Sequence, residues 1–302
     1  MLDERAGLYV YAIVPAGPVP DGLVPAGPGA AGPVPDGLAP AGPVPAGLGA
    51  GIDGAALELV AVPAGIAAVV HRHDAPPFTG SGTEAERRVL EHGEVVERCW
   101  ERLDTVLPMG FNVIVAPSKG ESGAGESGAG ESAVDRLSAW LTRAAPELRR
   151  RLDELSGRVE LRVEISLDER EAAAASEEAR RLEEEIRQRP EGVQRLLRRK
   201  LASLVRSGAE EAADRLYPEC RRRLAGVSED IVENLRGRPP EGCVTVLNVS
   251  VLVPRAGIPL VGKELGDLQA EDPAVRVRFQ GPWPPFSFAD VSGSLTGAER
   301  QA

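Results

Sequence analysis

Two apolar rhythms share this chain: short runs of β-branched and aromatic residues, and long stretches with apolar side chains three and four apart. Residues 8–14, Leu-Tyr-Val-Tyr-Ala-Ile-Val before Pro15, predict a strand buried on both faces. Residues 56–62 and 66–72 flank Pro63-Ala64-Gly65 and predict a hairpin. Thr83 and Glu86 have capping-box spacing. Behind them Ala85, Val89, His92, Val96, Cys99 and Leu103 fall on one helical face. Residues 106–116 read as one strand with Pro108 near its start. Ser132 with Asp135 caps a helix whose apolar positions run from Val134 to Leu155, with Pro146 expected to kink or restart it and Gly157 to end it.

Beyond Gly157 the pattern changes. Val159, Leu161, Val163, Ile165 and Leu167 alternate with polar residues, which predicts a strand with one buried and one wet face. Residues 168–236 read as helical almost throughout. One stripe runs through Ala175, Ala179, Leu182 and Ile186 and is broken at Pro190. A second runs from Val193 through Leu204, Cys220 and Leu224 to Ile231 and Leu235, with a kink expected at Pro218. Both have Arg- and Glu-rich opposite faces, the pattern of paired amphipathic helices. Residues 243–253 predict a central strand, 261–268 a short helix and 275–279 a last strand.

Strands and helices mix without regular βαβ alternation, so the fold class is α+β. Two domains are expected: 1–156, a mixed sheet with helices, and 157–302, a ferredoxin-like variant with long amphipathic helices. Two low-complexity inserts interrupt the first. Residues 16–51 repeat an Ala-Gly-Pro-Val-Pro pattern, and residues 120–131 repeat Gly-Glu-Ser-Gly-Ala; both read as loops, where added length costs little.

Composition narrows the function. A net charge of −11 over 302 residues argues against a nucleic-acid surface and against a polybasic membrane anchor. No apolar run approaches the ~20 residues of a membrane span, and the acidic start is unlike a secretory signal, so a cytoplasmic protein is expected. Cys99, Cys220 and Cys243 are far apart and form no C-x-x-C pair, which suggests neither a disulfide framework nor a zinc site.

Candidate chemistry is sparse. Residues 257–263 fit G-x-x-x-x-G-K, but Glu264 stands where a hydroxyl should hold magnesium, and Pro259 removes a backbone donor. His71 and His73 could share a strand face, without a third ligand by spacing. His92 reads as a packed, hydrogen-bonded side chain rather than a base. Ser122 misses the nucleophile elbow because Gly123-Ala124 follows it. No catalytic, cofactor or metal residues are assigned.

The chain ends on a stiff aromatic segment, Gly281-Pro282-Trp283-Pro284-Pro285-Phe286-Ser287-Phe288, in a sequence with only 4% aromatics. Three prolines fix φ and remove donors, so the segment should not continue a sheet. Trp283, Phe286 and Phe288 are the candidate partner-binding residues, with a groove in their own chain as the other destination. This ending resembles the signature of the gas vesicle GvpL/GvpF family. So do residues 8–14, 64–70, His92, 106–111 with its Leu-Pro-Met-Gly-Phe, 155–161 and 247–253, in that order. The two inserts depart from the family pattern. The resemblance implies a minor, non-enzymatic protein of gas vesicle assembly, whose partners are the hydrophobic shell protein and other accessory proteins. A general helical scaffold and a nucleotide-dependent enzyme using residues 257–263 are the alternatives.

Overall fold

The structure is a computed structural model that describes residues 6–16, 42–43, 48–118, 130–174, 176–234 and 239–289. The chain forms two compact units. One comprises Met1–Gly157 together with Pro284–Ala302, the other Arg158–Trp283. The sequence reading places the whole C-terminal end in the second domain; in the structure, residues from Pro284 onward group with the first.

The first unit is built on β1 (Gly7–Pro15), buried along almost its whole length. Tyr9, Val10, Tyr11, Ile13 and Val14 are β-branched or aromatic, and the strand sits where both faces are covered. It pairs antiparallel with β4 (Ile66–His73), with a register shift between Val10 and Ala12. β3 (Glu58–Val62) pairs with β4 through the expected hairpin, whose turn uses Gly65 at φ +76°. β2 (Gly42–Pro43) lies beside β3 and is one of the few described parts of the first insert. Residues 17–41 and 44–47 of that insert, and 120–129 of the second with Ser122, lie outside the described residues.

The single strand expected over 106–116 is instead two short ones, β5 (Leu107–Pro108) and β6 (Ile114–Val115), both against β1. Pro108 has no N–H to extend the ladder, and Asn112 takes φ +67°, so the chain turns between them. Helices α1 (Thr83–Leu103) and α2 (Ala133–Leu155) both pack on β1. The capping box at Thr83 does not form: Thr83 is already helical, and the cap is Gly82 at φ +99° with no side-chain bond. Val89, expected on the buried face of α1, is exposed; the buried face is His92, Val95, Val96, Cys99 and Trp100. The cap of α2 does form, with Ser132 Oγ accepting from the Asp135 N–H at 3.1 Å. α2 runs unbroken through Pro146.

The second unit opens with β7 (Arg158–Asp168) and continues through α3 (Glu169–Ala173), α4 (Glu177–Gln188), α5 (Glu191–Val227), β8 (Asp230–Glu233), β9 (Cys243–Pro254), α6 (Ile258–Glu271) and β10 (Val275–Trp283). The sheet order is β10-β7-β9-β8 with every pair antiparallel, the split βαβ arrangement of a ferredoxin-like fold. Register places Val159, Leu161, Val163 and Ile165 opposite Val253, Val251, Val249 and Leu247, all buried. α5 packs on β9 and β7, and α6 on β10. The other face of β7 is drier than alternation suggests, since Glu160 and Ser166 are also buried.

Two expectations change here. The stretch 168–236 is not helical throughout, because β8 occupies 230–233 and contains Ile231. Of the long stripe expected on α5, only Cys220 and Leu224 are buried; Ala209 and Ala213, outside that stripe, complete the buried face, and the helix continues through Pro218. Ala179, Leu182 and Ile186 of the α4 stripe are buried, while Ala175 and Leu235 lie outside the described residues.

Candidate partner-binding site

β10 is an edge strand, so one side of its backbone lies outside the ladder of its own sheet. It also runs further than its prolines imply. Val275 to Gln280 pair with Leu167 to Arg162; the register then shifts, and Trp283 pairs with Glu160. Gly281 at φ +121° and Pro282, which has no N–H, occupy the irregular step, where an unpaired residue costs the ladder little.

The three tail rings have different fates. Trp283, on the edge strand, is 43% exposed, and Phe279 on the same strand is 39% exposed. Phe286 begins a short 3-10 turn (Phe286–Phe288) in the first unit and is also 43% exposed. Phe288 closes that turn at 5% exposure, and its carbonyl accepts from Arg151 Nη2 of α2 at 3.1 Å. Buried as it is, the Phe288 ring acts as an anchor rather than a contact surface. Of the three rings, only Phe288 is taken up by its own chain; Trp283 and Phe286 stay exposed.

Residues 257–263 do not form a phosphate loop. Helix α6 starts at Ile258, so the backbone donors that would cradle a phosphate enter helical geometry. The Lys263 ammonium binds Asp267 Oδ2 at 2.6 Å, one turn along the same helix.

A cluster in the first unit was not legible as such. All three histidines of the chain gather around Tyr9 and Tyr11 of β1. His71 stacks on Tyr9 at 5.0 Å, and Phe78 and Phe111 close the group. His92 Nε2 lies 3.0 Å from the Met109 carbonyl, which can only accept, so Nε2 carries the proton. His92 Nδ1 then accepts from the Tyr9 hydroxyl at 2.9 Å, and that hydroxyl accepts from the Asn112 N–H at 3.1 Å. The Tyr11 hydroxyl accepts from the Ile52 N–H at 2.7 Å. Each link joins a strand, a helix or a loop distant in sequence, so the cluster fixes α1 and the 109–112 turn on β1.

Burial sets the ionisation of this group. It pushes His71 down to about 4, helped by the neighbouring His73. It pushes His92 down to about 4 against the favourable Met109 bond, and Tyr9 up to about 12. His71, His92 and Tyr9 are therefore neutral near pH 7. A shallow cavity of about 510 Å³ opens beside it, lined by Asp53, His71, His73, Phe78 and Arg88 among others. Arg88 lies 4.8 Å above the Phe78 ring and is held by Asp53 and Glu84, so its charge is already paired. His71 and His73 gain no third partner of metal-binding type among the described residues. The hint in the sequence was parity: His71 and His73 share a strand face, and His92 lies on the apolar side of its helix.

A wider cleft of about 920 Å³ lies among α3, α4 and α5, lined by both Arg170, Arg180 and Arg198 and the carboxylates Glu169, Glu183 and Glu241. Mixed charge of this kind does not select one ligand sign. Among the described residues no helix is long and apolar enough to cross a membrane.

Comparison with known proteins agrees with this architecture. The family model of "Gas vesicle synthesis protein GvpL/GvpF" matches residues 7–290. Gas vesicle protein L2 of Halobacterium salinarum is 27% identical over 79% of this chain and 83% of that protein. Gas vesicle protein L of Haloferax mediterranei is 24% identical over 76% of this chain and 69% of its own length. Among solved structures, the gas vesicle protein GvpF of Anabaena sp. PCC7120 is similar with a TM-score of 0.59 at 16% identity, covering 95% of this chain and 97% of that one. That of Microcystis aeruginosa gives 0.56 at 15% identity, over 94% and 99%. These structures share the α+β fold of this chain. With its family model matched from β1 to the buried Phe288 anchor, the chain belongs to the gas vesicle GvpL/GvpF family.

Proposed function

We propose that this protein is a non-enzymatic accessory of gas vesicle assembly that binds the hydrophobic shell protein, and other vesicle proteins, through the exposed aromatic rings near its C-terminal end. Family membership carries the vesicle role. The observation that carries the finer reading is the exposure of Phe279, Trp283 and Phe286 in a chain so poor in aromatics. Large rings left in water on a stiff segment lose little entropy on docking and offer apolar area to a subunit that exposes apolar surface before it polymerises. The open edge of β10 supplies backbone donors and acceptors beside two of those rings, the usual requirement for strand addition.

The test is coexpression with the gas vesicle shell protein, followed by capture of this chain and measurement of the shell protein that remains soluble. The paired substitution Trp283→Ala and Phe286→Ala should lower capture while leaving the melting temperature near that of the wild type. Phe288→Ala should instead destabilise the first unit, by ~3 kcal/mol for a buried ring. Undiminished capture by a folded Trp283→Ala, Phe286→Ala protein would remove the rings from the mechanism.

A further inference from the structure

Away from the tail and β10, four of the five exposed large apolar side chains among the described residues lie on two helices of opposite charge; the fifth is Leu260 on α6. On α1, Val89 is 48% and Leu90 66% exposed. On α5, Val193 is 44% and Leu196 68% exposed. Their surroundings are complementary. Leu90 lies on a stripe with Glu86, Glu94 and Glu97, spaced four, four and three along α1. Leu196 lies one turn from Arg199 and Lys200, with Arg195 beside it.

The basic character of α5 is concentrated at this end. From Glu191 to Arg206 it carries Arg195, Arg198, Arg199, Lys200 and Arg206 against one carboxylate, Glu191, in a chain whose net charge is −11. Arg198 donates to Gln194, and Arg206 pairs with Glu169 and Glu210. Arg195, Arg199 and Lys200 have no ion pair among the described residues, and neither do Glu86 and Glu97. Glu94 reaches Arg98 only at 3.5 Å. Gly93 sits within α1 beside Val89, Leu90 and Glu97, and a Cβ there would meet nothing within 4 Å. A mid-helix glycine costs about 1 kcal/mol relative to alanine, and internal packing does not require this one. It leaves a shallow hollow next to the exposed apolar pair.

We propose that the protein associates with a second copy of itself, the basic and apolar stripe of α5 on one copy docking against the acidic and apolar stripe of α1 on the other. Each stripe presents an apolar pair framed by mostly unpaired charge, acidic on α1 and basic on α5. Two copies of a chain carrying −11 repel one another over most approaches, and the α5 stripe is where that repulsion reverses. Charges at the rim of such a contact govern orientation, association rate and salt sensitivity, while the four apolar side chains supply the desolvated centre. The proposal is independent of the tail.

The experiment is sedimentation velocity on the purified full chain across protein concentration, at low and at high salt. The wild type should self-associate, and high salt should weaken it about tenfold or more. Two triple variants follow: Arg195→Glu, Arg199→Glu, Lys200→Glu, and Glu86→Arg, Glu94→Arg, Glu97→Arg. Circular dichroism checks that each is folded. Each alone should be monomeric where the wild type associates. An equimolar mixture of the two should associate again, because every opposed pair of stripes then carries opposite charge. A wild type that stays monomeric at every concentration overturns the proposal, as does self-association that survives either triple variant. If the wild type is monomeric and the α5 variant instead loses capture of another vesicle protein, the stripe belongs to that acidic partner and self-association is refuted.

Discussion

Acid should loosen the first unit well before its carboxylates titrate. His71 and His92 are both buried and both held down to about 4, mainly by loss of hydration. In the unfolded chain each returns to ~6.5. A histidine depressed by folding contributes its full stability above pH 6.5, and that contribution is lost as the pH falls from 6.5 toward 4, because the unfolded state binds the extra proton. At pH 5 the difference amounts to about 2 kcal/mol per ring, or about 4 kcal/mol for two independent rings. That is a large share of the roughly 5–15 kcal/mol stability of a typical domain. Urea unfolding at pH 7.5 and pH 5 measures it, with fluorescence of Trp100 and Trp140, both buried in the first unit, as the reporter. The control is the pair His71→Asn and His92→Gln, whose side chains stay neutral. It should start less stable at pH 7.5 but lose much less between the two pH values. Equal losses in wild type and variant would refute the assignment and move the acid sensitivity to carboxylates such as Asp53 and Glu91, whose pKa values are lowered by Arg87 and by hydrogen bonding.

Two further substitutions test the local physics. Ser132→Ala removes the hydroxyl that caps α2 and should cost about 1 kcal/mol in urea unfolding, with no change in far-ultraviolet circular dichroism of the folded state. Gly51→Ala places a Cβ into the Tyr11 hydroxyl, which also accepts from the Ile52 N–H; overpacking and a lost bond should together lower stability by about 2 kcal/mol, detectable as a lower melting temperature.

Where local rules acted alone, the sequence was readable. The uninterrupted apolar run of β1 and the Ser132 cap needed no distant partner, and each appears as expected; β7 forms as a strand, though its polar face is partly buried. Readings failed where tertiary context overrode a local signal. Thr83 and Glu86 satisfy the capping pattern, yet the chain enters α1 through Gly82. Pro146 and Pro218 each remove one helical bond, but α2 and α5 are long enough, and packed well enough, to run through the gap. The prolines of the tail forbid a regular ladder but not an irregular one, so β10 reaches Trp283. The rings of the candidate site were visible as residues, while their division into exposed and anchored was not, because it is set by distant contacts such as the bond from Arg151, 137 positions away, to the Phe288 carbonyl.

The sequence position of the second unit has a consequence for biosynthesis. Its first and last strands, β7 and β10, lie side by side, with Glu160 opposite Trp283, so it is an insertion whose two ends are one strand spacing apart, about 4.8 Å. A ribosome must therefore complete the whole inserted cassette before it delivers Phe288 to α2. The first unit waits, with the Phe288 anchor missing, until the cassette Arg158–Trp283 has emerged. A first unit completed by Phe288 is therefore one whose inserted cassette has already been synthesised. The same close spacing would let the cassette be exchanged between relatives, or replaced by a short turn, without stretching its host.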